Sequence, residues 1–264
     1  MKKIFLCGCQ LVYDVADEST FIFNISVAKT EHQRILTERL TLTPPMGYQE
    51  YVEPILNNRF VRVNAPQGKL EVNYEAQVMV SYPDIEPDYC LEVPPAQLPI
   101  EVFNYLYPSR YCESDRLLRL AEKEFGDLPG GYGRVQAICD WIYENMQYVA
   151  GSTNSQTSAF DTVTELRGVC RDFAHLGIAF CRALNIPARF VTGYAYQLNP
   201  PDFHACFEAF LGDRWYIFDP TRLIPPEDLI LIGKGRDAAD IAFATIFGPV
   251  TMESMNLWVN LKQS

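Results

Sequence analysis

The chain has 264 residues, 48% of them hydrophobic and 21% charged, and its net charge is −11. That length can bury a sizeable core and suits one large or two modest domains. The acidic balance disfavours nucleic acid, whose phosphates need a basic face, and no stretch approaches the ~18 apolar residues of a membrane-spanning helix, so no membrane partner is expected.

Lys2 and Lys3 followed by I-F-L open like a secretory leader, but the apolar run is short and strand-like sequence follows at once. No leader is expected. Eight scattered cysteines without a disulfide-like framework fit a reducing, cytoplasmic setting. Cys7 and Cys9 alternate as strand residues do and are read as two reduced thiols on one face. Residues 4–43 read as strands, with alternation and β-branched or aromatic content in C-Q-L-V-Y-D-V, S-T-F-I-F-N-I-S-V and I-L-T-E-R-L-T-L-T. Pro44-Pro45-Met46-Gly47 interrupts them. A second group follows: R-F-V-R-V, a turn over 64–68, and a long strand carrying Leu70, Val72, Tyr74, Ala76, Val78 and Val80 on one face. Strand upon strand with no helix between them predicts an antiparallel β-sandwich or barrel over residues 1–93.

Prolines then crowd the chain between Tyr82 and Pro108, which predicts an extended connector with the domain boundary at residues 94–112. From Ser114 the period becomes helical. S-D-R-L-L-R-L-A-E-K-E-F runs from a capping serine or aspartate to a stop at Gly126. A second helix spans about 132–148, with Val135, Ile138, Ile142 and Met146 on one face. After a polar loop, a short helix at about 161–166 leads into R-G-V-C-R-D-F-A-H-L-G-I-A-F-C-R-A-L-N-I-P at 167–187. Here Phe173, Leu176, Ile178, Phe180 and Leu184 fall at helical spacing, and Asn185 and Pro187 close the element. Strands A-R-F-V-T-G-Y-A-Y, F-H-A-C-F-E-A-F-L and R-W-Y-I-F-D-P come next. G-K-G-R-D-A-A-D reads as a polar turn leading to a helical or mixed segment, and V-T-M-E-S-M-N-L-W-V as a last strand.

Cys170 opens the third of these long helical patterns. A thiol there faces unpaired N–H groups and the positive end of the helix dipole, and both favour thiolate. Cys170 is therefore the candidate nucleophile; the competing reading is a buried structural cysteine. A base must come from three histidines. His32 lies in the β-rich part. His175 is five residues along the same helix, which rotates it about 140° away from Cys170 and more than a turn distant. His204 remains. If Gly212-Asp213 is a two-residue hairpin turn, Leu211 faces Arg214 and Cys206 faces Asp219. His204 and Asp219 then share a face as diagonal neighbours, about 7–8 Å apart at Cα. Such a carboxylate would fix the tautomer and orientation of the imidazole that activates the thiol.

The motifs G-V-C-R-D-F-A-H-L at 168–176, F-H-A-C-F-E-A at 203–209 and W-Y-I-F-D-P-T at 215–221 resemble those of the transglutaminase-like superfamily of cysteine enzymes. The likeness is to its bacterial two-part members described as cysteine proteases. W-I-Y-E-N-M-Q-Y at 141–148 and G-R-D-A-A-D at 235–240 add to it. The resemblance covers residues 110–264 and, less specifically, the β-rich part, which is similar to the accessory domain of the same group. It implies a Cys170–His204–Asp219 triad and a thioester acyl-enzyme formed from a peptide or isopeptide-type amide. Hydrolysis is favoured over transamidation because water is the default acceptor. The backbone N–H of Cys170 is one natural oxyanion donor. Trp141 could supply an indole N–H, as a tryptophan does in mammalian transglutaminases, although its amphipathic helix also suits core packing. Tyr148 and Tyr194 are candidate pocket-lining residues. Cys206 stands where many relatives carry a bulky residue; it would line the pocket, report redox state or simply pack. Glu165, Arg167, Arg171 and Asp172 are expected to set helix ends and local ion pairs.

The expected architecture is α+β: an antiparallel β-sandwich-like domain over 1–93, a connector over 94–112, and a papain-like transglutaminase core over 113–264. The expected partner is a peptide or protein substrate. No C-x-x-C pair, zinc-type histidine spacing or acidic calcium loop is present in the sequence, so neither metal nor cofactor is expected. Two rival readings are a non-catalytic binding module on the same fold and a thiol redox protein pairing Cys170 with Cys206.

Overall fold

The computed structural model describes residues 2–83 and 85–262. Six strands come first: β1 (Lys3–Val15), β2 (Ser19–Phe23), β3 (Gln33–Thr43), β4 (Gln49–Val52), β5 (Arg59–Ala65) and β6 (Gly68–Val80). The period-two pattern of β6 is its burial pattern, with Leu70 through Val80 buried at every second position. β4 was not expected, and its four residues are all exposed, so it carries no alternating apolar signal. The proline-rich connector is not extended throughout. Short 3₁₀ turns form at Pro87–Tyr89, Pro95–Gln97 and Ile100–Tyr105. Pro87 and Pro95 occupy their first positions, where a missing N–H costs nothing and φ is already helical. Leu98, Val102 and Tyr105 from this stretch bury against Phe210.

The helical part begins with α1 (Ser114–Phe125) and α2 (Tyr132–Asn145). The two-residue β7 (Gln147–Tyr148), α3 (Ala159–Glu165) and the two-residue β8 (Arg167–Gly168) lead to α4 (Cys170–Ala183). The sequence predicts α4 to be amphipathic, yet every residue from Asp172 to Ala183 is buried. It is the central helix of the core, with α1, α2, α3 and the sheet packed around it. Phe173, Leu176, Ile178 and Phe180 are at most 2% exposed, and each contributes about 1.5–3 kcal/mol of transfer free energy.

The remaining strands are β9 (Ala188–Ala195), β10 (Phe203–Leu211), β11 (Arg214–Phe218), β12 (Leu229–Gly235), β13 (Ala244–Phe247) and β14 (Val250–Leu261). The segment after Asp240 thus enters a strand rather than a helical or mixed element. The core sheet has the order β11-β10-β9-β12. Two other four-stranded sheets, β14-β1-β6-β3 and β13-β2-β5-β4, share a separate apolar core that includes Phe5, Cys7, Cys9, Tyr13, Phe21, Phe23, Val63 and Val72. The last two strands therefore do not stay with the domain to which a boundary at residue 113 assigns them. β14 pairs with β1 from Phe5↔Leu261 to Val15↔Val250, and β13 pairs with β2. Pairing across the length of a chain leaves no local mark, because an alternating segment reads the same whichever strand it joins. Ile230 and Ile232 of β12 and Tyr194 of β9 also bury in this second core, joining the two layers. No helix among the described residues is long and apolar enough to cross a membrane.

Candidate active site

The nucleophile candidate is placed from its N-terminal side. β8 pairs in parallel with β7, Gln147 with Arg167 and Tyr148 with Gly168, and Val149 N–H donates to the Gly168 carbonyl at 3.0 Å. A Cβ on Gly168 would sit 2.8 Å from the Asp172 Cβ, so only glycine lets the incoming strand lie against the first turn of α4. Asp172 is fully buried. Its carboxylate accepts from Val169 N–H at 2.9 Å, Thr153 Oγ1 at 2.8 Å, and Arg171 Nη2 and Nε at 2.9 and 3.2 Å. It caps the helix at the third position and ties the 149–157 loop to it. Of the eight cysteines, all free, Cys170 alone is not buried.

The base candidate is placed from the sheet. The β10–β11 hairpin has the register that a two-residue turn dictates, with Leu211 opposite Arg214 and Phe207 opposite Phe218; Gly212 takes the positive φ, +62°. His204 Nε2 lies 2.9 Å from Asp219 Oδ2, and the two side chains are 1% and 2% exposed. Asp219 is itself fixed: its Oδ1 accepts from Thr221 N–H at 2.9 Å and Thr221 Oγ1 at 2.6 Å. Thr221 was not singled out in the sequence, although a threonine two residues after an aspartate is a usual turn partner.

Gly177 brings the two halves together. A Cβ there would lie 2.5 Å from the Phe207 ring, so α4 and β10 touch backbone to ring. Seven helical residues back from Gly177 is about 10 Å, and three strand residues back from Phe207 is about 10 Å. Cys170 and His204 thus lie at the same end of this contact. The Cys170 thiol lies against the imidazole, but outside good hydrogen-bond geometry, since His204 Nδ1 is buried without a partner among the described residues. Such contacts are commonly loose before substrate binds.

Burial works against a charged His204, but Cys206, the Asp219 hydrogen bond and Cys170 outweigh it and hold the ring well above the usual imidazole range. Burial pushes the Cys206 thiol up to about 12, so it stays neutral near neutrality. The Asp219 carboxylate is then the fixed negative charge that keeps the proton on the ring. Burial opposes ionisation of Asp219 too, but His204 and Thr221 keep its carboxyl below the ordinary value.

The other candidates separate. Tyr148 lies beside Cys170. Cys206 is beside His204 but fully buried and packed with Val191, Ile217 and Leu231, so substrate cannot touch it. Trp141 is not at the site: its ring packs edge-on against Phe125 and Phe180, and Phe180 is ten residues, about 15 Å, down the helix from Cys170. Tyr194 does not line a pocket either. It is fully buried, donates to the Ile25 carbonyl at 2.7 Å and stacks on Tyr74, because β9 passes there onto the second core. His175 is also internal. It is stacked on Tyr111 and accepts from Ala238 N–H at 3.1 Å. Glu165 pairs with Arg167 and Asp172 with Arg171.

His204, Cys206 and Asp219 present donor atoms within 4.8 Å of one another. A metal there would compete with the His204–Asp219 bond for the same atoms. A cavity of about 440 Å³, lined by Lys3, His32, Tyr82, Glu208 and Trp215 among others, does not include the thiol or its partners.

Residues 119–220 match the family model of the transglutaminase-like superfamily, and residues 1–101 match that of the bacterial transglutaminase N-terminal domain. The crystal structure of a "putative cysteine protease" from Cytophaga hutchinsonii superposes with a TM-score of 0.97 at 49% identity, covering 100% of this chain and 92% of that one. An uncharacterised protein of Mycobacterium leprae is 34% identical over 117 residues, 41% of this chain and 42% of its own. One from Mycobacterium bovis is 32% identical over 115 residues, 38% of this chain and 37% of its own. The matched stretch thus spans about two fifths of these mycobacterial relatives.

Proposed function

The chain belongs to the transglutaminase-like superfamily, a thiol-dependent enzyme family, and on that premise we propose that it is an amide hydrolase acting through Cys170, His204 and Asp219. Its substrate class is a peptide or isopeptide-type amide. One observation carries the reading. The only cysteine that is not buried opens a helix and lies against a histidine whose other nitrogen is held by a carboxylate at 2.9 Å.

His204 takes the thiol proton on Nδ1. The thiolate attacks the carbonyl carbon, a C–S bond forms, and the carbonyl oxygen becomes an oxyanion. As the C–N bond breaks, the imidazolium gives its proton to the leaving amine. Water, deprotonated by His204, then attacks the thioester; the C–S bond breaks and the thiol regains its proton. An amine in place of water would give transamidation. Asp219 never takes the proton; it orients the ring and stabilises the imidazolium.

Iodoacetamide labelling at neutral pH tests the reading. Cys170 is expected to account for the fast phase; Cys170→Ala is expected to lose it, and His204→Ala to slow it with the thiol still present. Equal labelling of either variant would favour a non-catalytic binding module.

A further inference from the structure

The cavity of about 440 Å³ lies between the two halves of the chain. β10 and β11 line it through Glu208, Trp215 and Ile217, and the sandwich and its exit line it through Val80 and Tyr82. Its volume falls within the ~300–1,000 Å³ of small-molecule sites. Phe207 and Ala209 of β10 pack into the core around α4, so Glu208 between them points to the opposite face of the sheet. The Glu208 side chain is only 8% exposed. Its Oε2 accepts from Arg189 Nε at 2.5 Å, whereas Oε1 makes no hydrogen bond among the described residues. Arg189 is itself held over the Trp215 ring at 3.9 Å, so the carboxylate is fixed from behind. A buried acceptor without a partner is costly, and a donor entering the cavity would relieve that cost.

The cations of the lining lie nearer solvent. Lys3 is 29% exposed and gives Asp228 one hydrogen bond at 2.6 Å, which leaves two of its three donors. Arg214 is 49% exposed, with Asp213 no closer than 3.9 Å. The charges at the cavity balance: Glu208 against Arg189, Lys3 against Asp228, and Arg214 against Glu227, which lines the same space. A ligand of one net charge would meet a like charge as well as an opposite one. A neutral molecule with separated charges finds a partner for each. We propose that the cavity binds a small zwitterion of dipeptide size. Its ammonium donates to Glu208 Oε1, its carboxylate accepts from Lys3 and Arg214 at the mouth, and apolar side chains lie against Val80, Tyr82 and Ile217. The site is separate from the thiol and does not rest on the acyl-transfer reading. It lies behind the strands of the base, because Glu208 is four residues past His204 on β10 and Ile217 two residues before Asp219.

Calorimetric titration of the full chain tests the site, with Cys170→Ala in the background so that no turnover enters. The probes are Leu-Leu, N-acetyl-Leu-Leu and Leu-Leu amide. Leu-Leu is expected to bind with a Kd of about 1 mM or below, and blocking either end is expected to weaken it about 10-fold or more, as loss of one charge-assisted hydrogen bond does. Lys3→Gln with Arg214→Gln is expected to weaken Leu-Leu about 10-fold and to leave the amide, which lacks the carboxylate, unchanged. Glu208→Gln is expected to weaken Leu-Leu and to leave the N-acetyl form unchanged. Should Glu208→Gln fail to fold, the double variant on the two partly exposed cations decides. No saturable binding of Leu-Leu, equal binding of the blocked probes, or Leu-Leu binding untouched by the double variant, which would place it at the thiol cleft, would each overturn the proposal. None of these results bears on the labelling of Cys170.

Discussion

Replacing Asp172 by alanine tests whether the cap, rather than the helix alone, holds Cys170 in place. The carboxylate is fully buried and accepts four hydrogen bonds, from Val169, Thr153 and twice from Arg171. Losing the cap leaves the Val169 N–H without a partner, which costs about 1–3 kcal/mol. Arg171 is 24% exposed and regains part of its hydration, so its unpairing adds about 1 kcal/mol, less than a fully buried cation would. The sum is about 2–4 kcal/mol. For a chain of this size that lowers Tm by about 4–16 °C. Asp172→Asn keeps an acceptor for Val169 and loses only the charge on Arg171, so it is expected to fall between. Urea titrations of the three proteins give the values. The electrostatic sign sharpens the test. Removing a negative charge two residues from Cys170 can only favour its thiolate, so slower labelling of the folded alanine variant reports lost geometry. A loss under 1 kcal/mol, with labelling unchanged, would refute the account of the cap.

Two further outcomes follow. Gly177→Ala gains about 1 kcal/mol of helix propensity, but its methyl would lie 2.5 Å from the Phe207 ring; a net loss of about 1–3 kcal/mol is expected from overpacking, with slower Cys170 labelling, and a stabilised variant would contradict it. Burial together with Arg171 and Arg182 holds His175 well below the usual imidazole range, so the unfolded chain binds the extra proton and stability falls below about pH 6.5, by up to about 1.4 kcal/mol per pH unit. His204, held above that range, keeps a proton the unfolded chain gives up, so its contribution is complete below about pH 6.5 and is lost as pH rises through its folded value. Urea midpoints from pH 5 to 8 should flatten on the acid side in His175→Phe and on the alkaline side in His204→Ala.

What the sequence made legible were features set by short-range periodicity. The hairpin is the clearest. A two-residue turn at Gly212-Asp213 forces Leu211 opposite Arg214, and from that register His204 and Asp219 fall within reach of one another. The rotation of His175 away from Cys170 is likewise arithmetic on a helix. Trp141 and Tyr148 show where this kind of reading stops. They lie seven residues apart on one stretch, and neither composition nor period says which ring meets Cys170. The choice is made by β7, a two-residue strand too short to carry a pattern, which pairs with the residues entering α4. Tyr194 misleads for a related reason: β9 lies beside His204 at Gly193, yet one residue further its side chain enters another core.

The paths of β12 and β14 change how the N-terminal sheets bear on the site. Were they an appended module, their contacts with the core would be confined to the connector. Instead β1 is flanked by β6 from its own half and by β14 from the far end of the chain. β12, which borders β9 in the core sheet, sends Ile230 and Ile232 into the sandwich and Leu229 and Leu231 to its other face. β9 carries Gly193, the residue paired with His204, and its next residue, Tyr194, hydrogen-bonds the Ile25 carbonyl. The strand behind His204 is therefore buttressed by the sandwich itself. A sheet braced on one edge by a hairpin and on the other by a second core has little freedom to slip. The position of His204 relative to α4 is thus a property of both halves of the chain, although only the second half supplies the thiol, the imidazole and the carboxylate.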